Sequence, residues 1–173
     1  MPRRAVPDRD LIYYGARPLR EPCRPVTPGE PGLRELIDQM RRIMIDHDGV
    51  GLAAPQVGEP VRVFLAHPPE NRNRRPLVFL NPEPLSLSIR HLPFEEGCLS
   101  FPGIYRQVVR PAEVSLGFQD LSGVPRRLKT DGLLARIIQH EMDHLDGVLL
   151  VDHLKGWTKM GVKLRMGWRG LSV

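Results

Sequence analysis

The sequence has few cysteines and no long apolar run, and both absences limit what kind of protein it encodes. Two cysteines, Cys23 and Cys98, are too few for a framework of disulfide bonds. The N-terminus lacks the apolar core of a signal peptide, and no apolar stretch approaches the roughly 20 residues that cross a membrane. Early arginines resemble the start of a transit peptide, but two aspartates among them argue against one. We therefore expect a cytoplasmic, bacterial protein rather than an organellar one.

The chain also lacks internal repeats and linker-like segments, so residues 1–173 predict a single domain. Its 41% hydrophobic and 26% charged residues are typical of a soluble globular protein. The net charge of +5 and the pI of about 9.7 fit a protein that meets RNA, but they fit a plain soluble enzyme equally well. The net charge alone therefore does not distinguish an RNA-binding protein from a soluble enzyme.

Patterns along the chain predict an α+β domain. Residues 1–32, rich in Pro, Arg and Gly, indicate an extended arm anchored near Leu11–Tyr14. Apolar residues at three- and four-residue spacing over Leu33–Met44 predict an amphipathic helix. Strands are predicted at Val61–Ala66, Leu77–Asn81, Glu113–Gln119 and from Pro125 to Thr130. We expect antiparallel strands packed around a central helix, followed by a basic tail over residues 155–173.

The central helix is predicted around the stretch QHEMDHLDG, residues 139–147. His140 and His144 are four residues apart, so in a helix they lie one turn apart on one face, where two imidazoles can bind one metal ion. Glu141 lies one residue further round and can act as a general base on a water molecule at that metal. The helix is supported by apolar residues at helical spacing and by a glycine after its end, namely Leu133, Ile137, Leu145 and Gly147. Taken alone, the motif also fits two ordinary helix histidines.

A catalytic site of this type needs a third protein ligand and keeps one coordination position open. The candidates are the two cysteines, the carboxylates and the remaining histidines, His47, His67, His91 and His153. Cys98 stands out because it follows a glycine in EEGCLS, and a thiolate is a strong, soft ligand for Zn²⁺ or Fe²⁺. For Cys23 we prefer the interpretation of a small buried hydrophobic residue.

Three stretches of the sequence together resemble one family. GVGLAAPQ at 49–56, EGCLS at 96–100 and QHEMDHLDG at 139–147 resemble the three signature motifs of peptide deformylase, in that family's order. The resemblance extends more loosely from Leu11 to Leu154. It implies a metal-dependent hydrolase that removes the N-formyl group from the N-terminal formylmethionine of newly synthesised polypeptides and releases formate.

The resemblance also implies how the metal is held. Carried over by position, Cys98, His140 and His144 would be the ligands of one divalent ion, and Glu141 would be the acid/base residue. Fe²⁺ is the ion we expect, with Zn²⁺, Ni²⁺ or Co²⁺ as alternatives, because this ligand set does not choose among them.

Substrate contacts are implied for further residues. Gln56 and the backbone N–H of Leu99 would bind the formyl oxygen, and Gly51 lies in the loop that the family uses to pair with the substrate backbone. Ile137 and Leu133 precede His140 by about one and two helical turns. They could line a slot for an unbranched methionine side chain, or belong to the core.

Residues around the metal site follow the family pattern in part. Asp143 is expected to hydrogen-bond a neighbour, and Glu96 to pair with Arg110. Asp152 and His153 stand where the family often has Asp-Arg, so we expect a structural ion pair there to be absent or altered.

The tail and two alternative functions remain open. Some family members dock at the ribosome through a C-terminal helix, and the basic tail from Lys155 would suit RNA, but its four glycines favour a frayed terminus.

A general metalloendopeptidase would also cleave unblocked peptides. An RNA-binding protein with a structural metal would need a fourth protein ligand, and its salt-dependent RNA binding would survive chelation. We expect neither a membrane nor a DNA partner.

Overall fold

The structure, a computed structural model, describes residues 10–68 and 75–169. Residues 1–9, which carry the early arginines, lie outside this range, as do residues 69–74 and the side chains of Trp168 and Arg169. Within it the chain combines helices with antiparallel strands, as the sequence predicts. None of the helices in these ranges has both the length and the apolar character needed to cross a membrane.

Three α-helices and seven strands alternate irregularly along this part of the chain. The helices are α1 Leu33–Asp46, α2 Gly132–Leu145 and α3 Gly156–Arg169. The strands are β1 Gly51–Ala53, β2 Val63–Ala66, β3 Leu77–Leu87, β4 His91–Gly97, β5 Tyr105–Pro111, β6 Glu113–Gln119 and β7 Pro125–Asp131. Short 3₁₀ helices cover Arg17–Arg20, Ala54–Val57 and Leu150–His153.

One sheet lies between α1 and α2. Its strand order is β1-β2-β3-β6-β7, and each neighbouring pair is antiparallel. Because successive residues of a strand point to opposite faces, β2 serves both helices. Leu65 belongs to the cluster around α1, with Met40 and Leu80, whereas Phe64 belongs to the cluster around α2, with Ile138. The continuous apolar run of β2 is therefore buried on both faces.

The second sheet is the hairpin β4–β5, and it delivers the cysteine motif to α2. Its register places Glu96 opposite Arg106 and Gly97 opposite Tyr105. Cys98 follows immediately after β4. Its neighbours Phe101 and Ile104 are fully buried in a third cluster with the 3₁₀ helix Leu150–His153 and α3. This packing fixes the loop that carries the thiol.

The predicted strands are shifted or too short in places. The first begins at Val63 rather than at Val61, which instead forms an isolated parallel bridge with Arg24. β3 continues past Asn81 through two prolines to Leu87. Register shifts on both sides of Pro84 accommodate these residues, since a bulge tolerates the missing N–H of proline. β4 and β5 were not predicted.

Both ends of the described chain are more ordered than predicted. The N-terminal arm is anchored near Leu11 as expected, because the Ile12 N–H donates to the Gln56 carbonyl and the Tyr14 N–H to the Ser100 carbonyl. The prediction of a frayed tail is wrong, because residues 156–169 form α3. Val162 and Met166 are buried in the third cluster, and this packing outweighs the poor helix propensity of the glycines.

Candidate metal centre

Helix α2 places both histidines and the glutamate of the motif in the interior. It begins at Gly132 after Asp131 and ends before Gly147, which has a φ of 71°. A left-handed glycine at this position is a common helix terminator. His140, Glu141 and His144 are 8%, 4% and 1% exposed. The helix therefore directs them away from solvent, towards the loop after β4.

Cys98, His140 and His144 come together at one point. One ligand atom from each lies within 4.8 Å of the others, and all three residues are buried. Cys98 Sγ is 3.3 Å from His144 Nε2, and the two imidazole rings are 5.1 Å apart between centroids, nearly edge to face. The structure thus gathers the three residues that the sequence motifs selected, from the loop after β4 and from α2.

The donor set fits a divalent transition metal. A thiolate and two imidazoles are ligands that Zn²⁺ and Fe²⁺ accept, and three protein ligands leave a coordination position open. Glu96 Oε2 lies 3.0 Å from His140 Nδ1, which directs Nε2 of that ring to the cluster. Burial lowers the pKa of His144 well below its ordinary value, which favours the neutral imidazole that a metal binds.

Glu141 lies beside this cluster, and one of its carboxylate oxygens is free to accept a proton. Within the part of the chain that the structure describes, Glu141 Oε2 is buried and has no hydrogen-bond partner. Burial raises the pKa of Glu141 to about 7, against the lowering effect of His140 and Arg110. A buried carboxyl group that exchanges its proton near neutrality is suited to acid/base chemistry.

Gly51 and Gln56 approach the cluster from the other side, on β1 and the 3₁₀ helix after it. Gly51 leaves the space that the Glu141 carboxylate occupies, because a Cβ there would overlap Oε1 and lie 2.8 Å from Ile137 Cγ2. Gln56 is 2% exposed. Its Oε1 accepts the Ala53 N–H at 2.9 Å, which turns Nε2 towards Cys98 Sγ, 3.5 Å away.

A cavity of about 550 Å³ opens onto these groups. Every site residue predicted from the sequence lines it except His144, which is 1% exposed. The predicted lining residues are Gly51, Gln56, Cys98, Leu99, Leu133, Ile137, His140 and Glu141. Leu133 and Ile137 also pack in the core cluster of α2, so they contribute both to the core and to the cavity wall.

Sequence reasoning missed other parts of the cavity wall, in particular Phe94, Tyr105 and Arg136. Arg136 is 7% exposed, donates to the Leu92 carbonyl at 2.7 Å and lies with its guanidinium carbon 5.8 Å from the centre of the Phe94 ring. Arg136 is four residues before His140 and so lies on the same helix face, and this spacing could have predicted its place in the cavity wall.

Charged residues surround the ligands. Arg110 donates to both oxygens of Glu96, at 2.8 and 3.0 Å, and to Asp143 at 2.7 Å, as the family pattern suggested. Burial alone would raise the pKa of Glu96, but hydrogen bonds from His140 and Arg110 outweigh burial and hold it at about 2. Glu96 is therefore an anion that accepts from both neighbours.

An ion pair does form at the segment that departs from the family pattern. Asp152 pairs with Arg20 of the N-terminal arm. His153 Nε2 lies 2.7 Å from Asp143 Oδ2.

Comparison with known proteins gives consistent matches over nearly the whole chain. A sequence model described as Polypeptide deformylase matches residues 8–160. A peptide deformylase of a Picosynechococcus species is 40% identical over 169 residues, which cover 97% of this chain and 89% of that protein. One from a Bradyrhizobium species is 46% identical over 151 residues, 84% of this chain and 86% of that protein. The crystal structure of a peptide deformylase from Synechococcus elongatus in complex with actinonin is 42% identical, with a TM-score of 0.85, and the match covers 98% of this chain and 91% of that one.

Proposed function

This chain belongs to the peptide deformylase family, and on that premise we propose which of its residues carry the reaction. The enzyme is a metallohydrolase that removes the N-formyl group from the N-terminal formylmethionine of newly synthesised polypeptides and releases formate. We propose that residues 1–173 form one catalytic domain, and that the protein acts in the cytoplasm, as suits its bacterial relatives.

Cys98, His140 and His144 would hold the metal, with Sγ and the two Nε2 atoms as ligands. When bound, a divalent ion supplies Lewis-acid polarisation of the substrate and acidifies a water molecule. We propose Fe²⁺ as the native ion, from the family resemblance, with Zn²⁺, Ni²⁺ and Co²⁺ as substitutes that the same donors accept.

Glu141 would carry the proton through the reaction. Its unpartnered Oε2 takes a proton as the water oxygen attacks the formyl carbon. The bond between the formyl carbon and the methionine nitrogen then breaks, and Glu141 gives the proton to that nitrogen. Formate and a free amino group result, and the carboxylate is regenerated.

Gln56 and Leu99 would stabilise the charge that develops on the formyl oxygen. The Gln56 amide is held by the Ala53 N–H, so its NH₂ group faces Cys98 before any substrate arrives. A donor fixed in this way costs no reorganisation during the reaction. The Leu99 N–H would be the second donor, because Leu99 follows Cys98 in the cavity wall.

The remaining cavity residues would orient the substrate. Gly51 allows a substrate backbone to run along β1 beside Glu141, since it carries no side chain. Ile137 and Leu133, about one and two turns before His140, supply an apolar wall that suits an unbranched methionine side chain.

The observation that carries the assignment is the buried, unpartnered Glu141 carboxylate beside three converging ligand atoms. The test is formate release from a formyl-Met peptide by anaerobically prepared protein with a defined metal. Glu141→Gln should bind one equivalent of metal and lose nearly all turnover. Glu83→Gln, which changes an exposed glutamate of β3, should retain wild-type turnover. Turnover by Glu141→Gln at the wild-type rate would overturn the role of Glu141.

The same assay separates deformylation from general peptidase activity. An unblocked peptide of identical sequence should yield no new amino groups, whereas its formylated form should yield formate. Cleavage of the unblocked peptide at internal bonds would favour the metalloendopeptidase.

We also propose that α3 contacts the ribosome. Lys163 and Arg165 are exposed on this helix, and Trp157 is 86% exposed, so the surface offers both charge and an aromatic ring to RNA. Co-sedimentation with ribosomes should fall when Lys163 and Arg165 are both changed to Glu. Unchanged co-sedimentation at low salt would exclude the contact.

A further inference from the structure

Asp143, which precedes the ligand His144, is held from two sides. Its Oδ2 accepts a hydrogen bond from Arg110 Nη1 at 2.7 Å, and the same oxygen lies 2.7 Å from His153 Nε2. A carboxylate oxygen accepts, so the imidazole donates. His153 belongs to the 3₁₀ helix Leu150–His153 after α2, and its side chain is 28% exposed. The contact therefore ties a partly exposed helix to the buried site.

Arg110 connects Asp143 to Glu96, which lies deeper in the site. Its Nη1 is used by Asp143, while Nε and Nη2 donate to Oε1 and Oε2 of Glu96 at 2.8 and 3.0 Å. The planar guanidinium holds its donors in a fixed relation, so the position of Asp143 constrains that of Glu96. Arg110 and Glu96 are both 5% exposed, which leaves them little room to adopt another arrangement.

Glu96 completes the connection, because its Oε2 lies 3.0 Å from His140 Nδ1. Four contacts thus run from His153 through Asp143, Arg110 and Glu96 to a ligand of the proposed metal. Partners that orient a ligating imidazole commonly change metal affinity 10- to 100-fold when they are removed, and a more distant member of the same network should change it less (about 3- to 10-fold).

We propose that His153 is a positioning residue for the metal centre, which acts by holding Asp143 against Arg110. The inference rests on the ligand set proposed above. Without the imidazole, Asp143, whose side chain is 26% exposed, keeps a single described side-chain partner and can turn towards water. Arg110 and Glu96 then fix the ring of His140 less well, and the metal binds more weakly.

The test measures the affinity for Co²⁺ by competition with a chromophoric chelator, together with the visible spectrum of the Co²⁺ protein. His153→Ala should weaken binding about 3- to 10-fold and shift the Co²⁺ bands. His153→Gln places an amide N–H at a similar reach and should restore affinity to within about twofold of wild type. His91→Ala should match wild type, because the His91 ring contacts the Ile89 carbonyl and lies outside the network.

The outcomes separate this inference from the ligand set. If wild type binds Co²⁺ and Cys98→Ser does not, while His153→Ala retains wild-type affinity and spectrum, only the role of His153 is overturned. The same holds if His153→Ala lowers the melting temperature of the metal-free protein but leaves Co²⁺ affinity unchanged. If Cys98→Ser binds Co²⁺ as tightly as wild type, the ligand set fails, and the positioning role fails with it.

Discussion

Gly51 and Glu141 are so close that a Cβ on the glycine would overlap the carboxylate, with Glu141 Cδ only 2.9 Å away. The contact joins β1 to α2 at the point where the reaction is proposed to occur. Because Gly51 has no side chain, the Glu141 carboxylate can occupy the space where a Cβ would otherwise lie. The two residues come from different motifs, and the fold alone brings them together.

Gly51→Ala should therefore reduce deformylation about 100-fold, because a displacement of about 1 Å is enough for such a loss. The added methyl group must push the Glu141 carboxylate or β1 aside. Formate release measured under kcat/KM conditions checks this, and metal content should stay at the wild-type level because no ligand is changed.

A matched change tests whether the loss comes from the site. Gly161 lies in α3, and a Cβ there would meet no atom within 4 Å. Gly161→Ala should keep full activity and raise the free energy of unfolding by up to about 1 kcal/mol, the usual difference in helix propensity. Equal activity of Gly51→Ala and Gly161→Ala would show that β1 can yield without disturbing Glu141.

Gln56→Leu should lower kcat and kcat/KM together by about 10²- to 10³-fold, as expected when one donor to a developing oxyanion is lost. Gln107→Leu, which changes an exposed glutamine of β5, is the control. An increase in KM at unchanged kcat would instead mean that Gln56 binds the ground state and the transition state equally.

Acid should weaken the tie between the N-terminal arm and the helix after α2. Burial alone would raise the pKa of Asp152, but its hydrogen bond from Arg20 outweighs burial and lowers it. A carboxyl group with a lowered pKa stabilises the fold above its unfolded pKa of about 3.9, and this stabilisation is lost as the pH falls through the folded value.

Asp152→Asn should thus lower the free energy of unfolding at pH 7 by on the order of 1 kcal/mol, a value discounted because the side chain is 30% exposed. Denaturant unfolding should show this difference shrinking between about pH 5 and pH 3. A difference that stays constant over that range would mean that the carboxylate charge does not matter. Asp38→Asn, at an ion-paired carboxylate that is 60% exposed, should cost less.

Cys23 should be nearly inert as a nucleophile. Burial raises the pKa of the Cys23 thiol to about 12, although the charge of Arg62 acts against this. At pH 8 roughly 10⁻⁴ of it is thiolate, so alkylation of Cys98→Ser, in which Cys23 is the remaining cysteine, should be slow when folded and fast in denaturant. Rapid labelling of the folded variant would show that the site opens readily.

The ligand-bearing helix could be predicted because its motif and its apolar spacing agree on the same residues. His140 and His144 need a helix to share a face, and Ile137 and Leu145 supply the buried side that forms one. The β6–β7 hairpin was also predictable, because a turn signal separates two regular strands that pair with each other.

Other elements depend on contacts that a local pattern does not contain. β3 continues through Pro82 and Pro84 because register shifts admit them. α3 forms because Val162 and Met166 have a cluster to join, which its glycines do not reveal. Arg136 was missed as part of the cavity wall because arginine is usually exposed. Here it is buried, and its guanidinium donates hydrogen bonds to Glu96 and to the Leu92 carbonyl.

The most direct test of the central claim is X-ray absorption at the zinc edge of the Zn²⁺-loaded protein. With Cys98, His140 and His144 as ligands, the first shell should contain one sulfur at about 2.3 Å, two imidazole nitrogens at about 2.0–2.1 Å and one further light atom. Cys98→Ser should lose the sulfur. A shell without sulfur in the wild-type protein, or with a second sulfur, would contradict the account.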